Sequence, residues 1–253
     1  QSPAKANYLY NMRQRFLFFL FFFAATSCIH AQPFNKDSSS KEIARLQKLP
    51  ADSGVARELR DIGYSLLEQD SALSRLALEA ALTKSIASRD ADAITNSYRM
   101  LGIWYMNFDY KDKALEKYRA SLNTANSNKN LFLAAGANFN IGNIKYWKGE
   151  YDSCIDYYLK TAALFDDPAI MNNKTLTEKI LDKKKSDLYS NISSVFNELK
   201  NLQKADEYID KAIAISKKYT SPAAAEALAY YMQQKADNYS LNGEIGKAIN
   251  IRL

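Results

Sequence analysis

Residues 98–121 read YRMLGIWYMNFDYKDKALEKYRAS, and the order of large and small side chains in this stretch decides the fold. Tyr98, Leu101-Gly102 and Tyr105 recur at three- and four-residue spacing, the period of one helix face. A turn is expected at residues 107–110. Ala114, Tyr118 and Ser121 then share a face of a second helix. The same order returns as Ile141-Gly142, a turn at Lys148-Gly149-Glu150-Tyr151, then Cys154, Tyr158 and Thr161. It returns again as Ile192-Ser193 and Phe196, a turn at Lys200-Asn201, then Ala205, Ile209 and Ala212. A fourth copy holds Lys235-Ala236 and Tyr239, a turn at Asn242-Gly243-Glu244, then Ala248 and Arg252.

Gly102, Gly142, Ser193 and Ala236 mark the first helices, at spacings of 40, 51 and 43 residues. Ala114, Cys154, Ala205 and Ala248 mark the second helices and keep those spacings. Two antiparallel helices joined by a short turn approach closely only where side chains are small. The predicted contact of Gly102 with Ala114 is therefore surrounded by Leu101, Tyr105 and Tyr118. One such pair cannot bury its own apolar faces, so neighbouring pairs must stack and share them. The predicted fold is all-α, a solenoid of stacked antiparallel helix pairs.

Outside these units the chain is consistent with that reading. Only 8 Gly and 5 Pro occur in 253 residues, too few breakers for a sheet-and-turn fold. A degenerate unit is expected over 53–88, with Ile62-Gly63-Tyr64 in its first helix and Asp70-Ser71-Ala72-Leu73 opening its second. The remaining units are expected over 91–125, 130–165, 174–218 and 222–253. An insertion from Asp166-Asp167-Pro168 to about Lys185 precedes the third clear one. Residues 32–52 are polar and read as a linker with room for a short helix over 41–48.

Residues 1–31 read as a signal peptide. Arg13 and Arg15 precede ten apolar residues, Phe16 to Ala25, too few to span a bilayer. Met12 is the expected start, which makes the eleven residues before it upstream sequence. Two processing sites compete. Cleavage after Ala31 is preferred; Ala25-Thr26-Ser27-Cys28 resembles a lipobox, which would place a lipid on Cys28. Both export the domain to the periplasm, or to a membrane-anchored position facing it. Removing Lys5, Arg13 and Arg15 lowers the net charge from +6 to +3, which argues against nucleic-acid binding. Processing at either site leaves Cys154 as the sole free thiol, and the preferred cleavage after Ala31 also removes His30, the only histidine. No catalytic residue, cofactor site or metal site is therefore expected.

The hydrophobe-small pair, the following aromatic, the turns Gly149-Glu150-Tyr151 and Asn242-Gly243-Glu244, and the small residues of the second helix resemble the tetratricopeptide repeat. The spacings exceed that family's usual length of about 34 residues, which implies longer helices. The resemblance implies a right-handed α-solenoid and a protein or peptide ligand on the concave surface lined by first helices. On that register, Asn96, Arg99, Ile103 and Met106 face inward, followed by Phe139, Asn143 and Tyr146. Ser190 and Asn197, then Gln233 and Asp237, continue the lining. Amide side chains with aromatics suit an extended peptide backbone. Behind a signal peptide, the Asp70-Ser71-Ala72-Leu73 start is similar to the exported repeats of bacterial sensor histidine kinases. Leu253 falls inside a second helix, so the chain is expected to continue, in that reading, into a membrane helix and an output domain. A freestanding adaptor that assembles envelope proteins is the alternative, and self-association is compatible with both.

Other motifs read as structural. Lys183-Lys184-Lys185 is expected to be a solvated helix face. Glu178 and Asp182 are expected to form surface ion pairs. Asp166-Asp167 offers too few ligands for calcium. Gly136, Gly142 and Gly149 lack the lysine and strand of a phosphate loop. Tyr98, Tyr105, Tyr118, Phe139 and Tyr158 are expected to pack in the core.

Overall fold

The computed structural model describes residues 35–173 and 175–252. The signal-peptide reading, including Cys28 and His30, lies outside the described residues. The helices are α1 (Lys36–Lys48), α2 (Ser53–Ser65), α3 (Ser71–Ser88), α4 (Ala91–Asn107), α5 (Lys111–Ser127) and α6 (Leu131–Trp147). They continue as α7 (Tyr151–Asp166), α8 (Glu178–Glu198), α9 (Leu202–Ser216), α10 (Pro222–Leu241) and α11 (Ile245–Arg252). A short 3-10 helix, Pro168–Asn172, lies between α7 and α8. No strand occurs among the described residues.

Helix starts are written in the sequence. The side chains of Asp52, Asp70, Asp90, Asn130, Thr177, Asn201 and Ser221 each accept from a backbone N–H of the first turn. Pro222 follows its cap, where a missing N–H costs nothing.

Pairs α4–α5, α6–α7, α8–α9 and α10–α11 reverse direction through one backbone device. The residue seven after each small mark is left-handed: Asp109 (φ 61°), Gly149 (φ 74°), Lys200 (φ 59°) and Gly243 (φ 79°). The next N–H closes a six-residue bond, Tyr110 to Tyr105 O at 2.8 Å, and Glu150 to Lys145 O, Asn201 to Phe196 O and Glu244 to Tyr239 O at 2.9 Å. These are Schellman closures, satisfying carbonyls that the helix end would orphan.

Small residues permit the pairing, but the principal contact of Gly102 differs from the expected one. A Cβ at Gly102 would lie 2.4 Å from Cε1 of Tyr118, and one at Gly142 would lie 2.6 Å from Cε1 of Tyr158. The glycines thus seat aromatic rings one turn beyond Ala114 and Cys154, which are fully buried. Ser193 instead donates directly to the Ala205 carbonyl at 2.7 Å, joining the two small marks of that unit. Ala236 and Ala248 are buried as well. In the first unit the match is offset by one: Ser74 donates to the Gly63 carbonyl at 2.6 Å, eleven residues on instead of twelve.

Two stretches differ from their expected form. The polar residues before Asp52 form the thirteen-residue α1, because Ile43 and Leu46 supply a buried stripe that packs with Leu59, Leu66 and Leu73. In the 166–185 insertion, Ile170 and Leu176 join the core with Phe165 and Leu181.

Candidate concave interface

Among the first helices, α2 packs against α4, α4 against α6, and α8 against α10, and their inner faces form the candidate surface. Three residues before each small mark the chain places Arg60, Arg99, Phe139, Ser190 and Gln233. These equivalent positions carry very different chemistry.

At the N-terminal end they are cationic. Arg60 Nη1 donates across to the Ala93 carbonyl and Ser97 Oγ of α4, both at 3.4 Å. Burial lowers its guanidinium below the ordinary value, opposed by Asp61 and reinforced by the charge of Arg99. Arg99 is half-buried. Its side-chain hydrogen bond is a long one, 3.4 Å from Nη2 to Asn96 Oδ1. Burial lowers Arg99 too, and the groups that counter this are the hydroxyls of Tyr118 and Tyr64, not a carboxylate.

The middle is aromatic and largely committed to packing. Phe139 stacks on Tyr158 at 5.4 Å. Asn143, expected to face the groove, is 3% exposed and accepts from Tyr158 OH at 2.6 Å. A buried phenol needs a partner, and Asn143 supplies it from inside the pair. Ile103 and Met106 pack into the α4–α6 core. Tyr146 lies against Tyr151, and burial together with nearby Glu198 raises its hydroxyl well above the ordinary phenol value.

The C-terminal end is a polar seam between α8 and α10. Ser190 donates to Gln234 Oε1 at 2.5 Å, and Gln234 Nε2 donates to the Ser190 carbonyl at 2.9 Å and Ser194 Oγ at 2.8 Å. Asn238 Nδ2 donates to Ser193 Oγ at 3.2 Å, and Asn197 donates to Asn238 Oδ1. Tyr231 OH donates to Asp187 Oδ1 at 2.6 Å. Ser190 and Asn197, read as groove lining, therefore hold neighbouring units together. Gln233 is exposed and bonded to Asp237 at 2.8 Å; Asn96 Nδ2 donates to the Asp92 carbonyl at 2.9 Å.

Two expectations about α8 are corrected. Asp182 is 7% exposed and receives Tyr219 OH at 2.8 Å and Lys218 Nζ at 3.1 Å from beyond α9, so it clamps two elements instead of pairing at the surface. The lysine run is not one solvated face. Lys183 pairs with Asp187 and Lys185 with Asp166. Lys184 lies 5.5 Å from the Phe132 ring centre, and burial pushes its ammonium down to about 7, opposed by Asp187 and aided by Lys183 and Arg99. The Phe132 ring of α6, not bulk water, faces the Lys184 ammonium.

No chemistry gathers around Cys154. It is fully buried, and burial raises its thiol to about 12. Among the described residues, no three His, Cys, Asp or Glu side chains group to hold a metal, and no helix is long and apolar enough to cross a membrane. A cleft of about 250 Å³ at the α9–α10–α11 end is lined by Gln203, Asp206, Tyr239 and Lys247.

No family model and no curated protein matches the sequence. Solved structures do match. BtubC (BKLC) from P. vanneervenii superposes with a TM-score of 0.69 at 19% identity, covering 85% of each chain. TPR-like repeats of a putative kinesin light chain from Podosopora anserina give 0.61 at 13%, covering 79% of this chain and 92% of that one. Aspartyl phosphate phosphatase F from Bacillus subtilis gives 0.61 at 16%, covering 85% of this chain and 62% of that one. The fold is therefore a tetratricopeptide-like solenoid.

Proposed function

We propose that this chain is a non-catalytic scaffold that holds a protein or peptide on the inner face of its first helices. The arrangement of that face supports the reading: cations at one end, Phe139 and Tyr146 midway, and exposed Gln233 at the other. Extended peptides bind such surfaces through backbone hydrogen bonds and a few aromatic or arginine anchors. The test is a photo-crosslinking amino acid at Gln233 and, separately, at exposed Leu76 on second helix α3. Exposure to a random peptide library should label the Gln233 position selectively. Equal labelling at both positions would end the groove reading.

We place this scaffold in the exported sensor region of a bacterial signalling receptor such as a two-component histidine kinase. The basic, then phenylalanine-rich start of the chain supports export. Coding sequence after residue 253 that runs into an apolar span of about 20 residues and an output domain is the expected result. A stop codon within the next helix would favour a freestanding or lipid-anchored adaptor, the reading to which Ala25-Thr26-Ser27-Cys28 points.

A further inference from the structure

One position after the small mark of each second helix the chain places Leu115, Ile155, Asp206 and Ile249. One position before the mark of each first helix it places Leu101, Ile141, Ile192 and Lys235. Where α5 meets α6, Leu115 and Ile141 share one apolar cluster, and where α7 meets α8, Ile155 packs on the cluster that holds Ile192. Where α9 meets α10 the equivalents are Asp206 and Lys235, so charge replaces apolar contact on both sides of that junction. The exchange does not close. Lys235 Nζ is 3.5 Å from Asp206 Oδ1 but 2.5 Å from Asp210 Oδ1. Asp206 Oδ2 accepts from Tyr239 OH at 3.1 Å, whereas Oδ1 is buried and receives no hydrogen bond. Asn197, which donates to the neighbouring Asn238, also leaves its Oδ1 buried without a hydrogen bond. A buried acceptor with no donor carries a desolvation cost that an incoming N–H removes.

The cleft of about 250 Å³ opens at this place, with Asp206, Asn238 and Tyr239 in its wall and exposed Gln203, Asn242 and Lys247 around its mouth. Glu244 is already answered by Lys247 and by Asn242 Nδ2 at 2.7 Å. Asp206, Asp210 and Glu244 thus face Lys235 and Lys247, which leaves one negative charge over. We infer that this cleft is a binding site for a guanidinium group, with Asp206 Oδ1 accepting one of its N–H bonds. The volume is below the range of drug-sized pockets, roughly 300–1,000 Å³, and suits one side chain or a ligand of that size. A planar guanidinium carries five donors, so one can reach Asp206 while others reach the amides at the mouth. It is more weakly hydrated than an ammonium and leaves water at lower cost. The Tyr239 ring draws cations, with Lys235 and Lys247 at 5.6 and 5.2 Å from its centre. Lys247 is mostly exposed and can swing out to admit the ligand.

The experiment is an NMR titration of the full chain, read from backbone amide shifts. The probes are N-acetyl-arginine amide, its citrulline and lysine counterparts, agmatine, and a short peptide centred on arginine. The guanidinium compounds should shift residues 203–206 and 239–247, and the arginine amide should bind about tenfold more tightly than the neutral citrulline one. Tighter binding of the peptide than of agmatine assigns the cleft to an arginine of a partner protein; the reverse order assigns it to a free guanidinium compound. Asp206→Leu restores the residue type of the sister units, so it should fold and lose the shifts. Asp206→Asn keeps the shape and should weaken binding about tenfold. Glu207→Gln, whose carboxylate pairs with Lys211, should leave binding unchanged. Circular dichroism melting confirms that each variant is folded. Equal binding of the arginine and citrulline amides, a lysine amide that binds as tightly as the arginine one, or unchanged titrations in folded Asp206→Leu and Asp206→Asn overturns the inference.

Discussion

The α4–α7 pairs and the α8–α10 seam solve one packing problem with opposite chemistry. In the first region a glycine on one helix seats a tyrosine ring from its partner: Gly102 under Tyr118, Gly142 under Tyr158. In the second, Ser193 occupies the glycine position and Ile209 the ring position. Ser193 bonds the Ala205 carbonyl across the pair, and Ser190, Gln234, Asn238, Asp187 and Tyr231 knit α8 to the first helix of the next unit. Ring-on-glycine packing is unforgiving of added volume, because interiors are already dense. A hydrogen-bonded seam tolerates volume better and tolerates lost partners worse.

Four substitutions would break or sharpen that contrast, taken from the largest expected effect down. Gly102→Leu drives a side chain into the Tyr118 ring and should cost about 3 kcal/mol, read by urea unfolding. The equivalent Ser193→Leu should repack at lower cost, and an equal loss would erase the distinction. Asp187→Ala strands the buried Tyr231 hydroxyl and should cost about 2 kcal/mol. Adding Tyr231→Phe should recover part of that loss, which a double-mutant cycle would measure.

Lys184, on α8 against Phe132 of α6, gives stability a pH signature. Its ammonium is held at about 7 in the folded chain against an ordinary 10.5. The unfolded chain therefore binds the extra proton between those values, and stability should rise as pH climbs from about 7 to about 10.5. Below 7 both states are protonated and the penalty is fully present. Lys184→Met should flatten this slope in melts taken across that window; an unchanged slope would show that Lys184 reaches water. The smallest effect is at the turns. Lys200→Gly relieves a left-handed lysine and should add about 0.5 kcal/mol, net of glycine's greater unfolded freedom. Asp109→Gly should add less, since aspartate accepts that conformation more readily. Thermal melting distinguishes the two.

The helix pairs were legible in the sequence because two marks per unit kept one register from Gly102 to Ala248. The caps were legible for a similar reason: Asp70, Asp90 and Asn130 each stand just before an apolar period. The inner face was legible only in part. Register alone cannot tell a lining residue from one that supports a buried phenol, so Asn143 looked accessible when it serves Tyr158. Arg60 was overlooked because its unit reverses without a left-handed residue and pairs Gly63 with Ser74 one position early. Its place three residues before Gly63, matching Arg99 before Gly102, was the available signal. Lys184 and Asp182 misled because charge alone marks them as wet, whereas Phe132 of α6 faces the one and Lys218 and Tyr219 from beyond α9 close over the other.

The repeated reversal at Asp109, Gly149, Lys200 and Gly243 has an evolutionary corollary. Its closing bonds run from backbone to backbone, so neighbouring side chains can drift without moving the hinge between helices. Whole cassettes could then be duplicated, excised or exchanged with their joints intact, and selection could tune what each displays. The change from arginine to phenylalanine to glutamine at one equivalent position is the pattern that such freedom would leave.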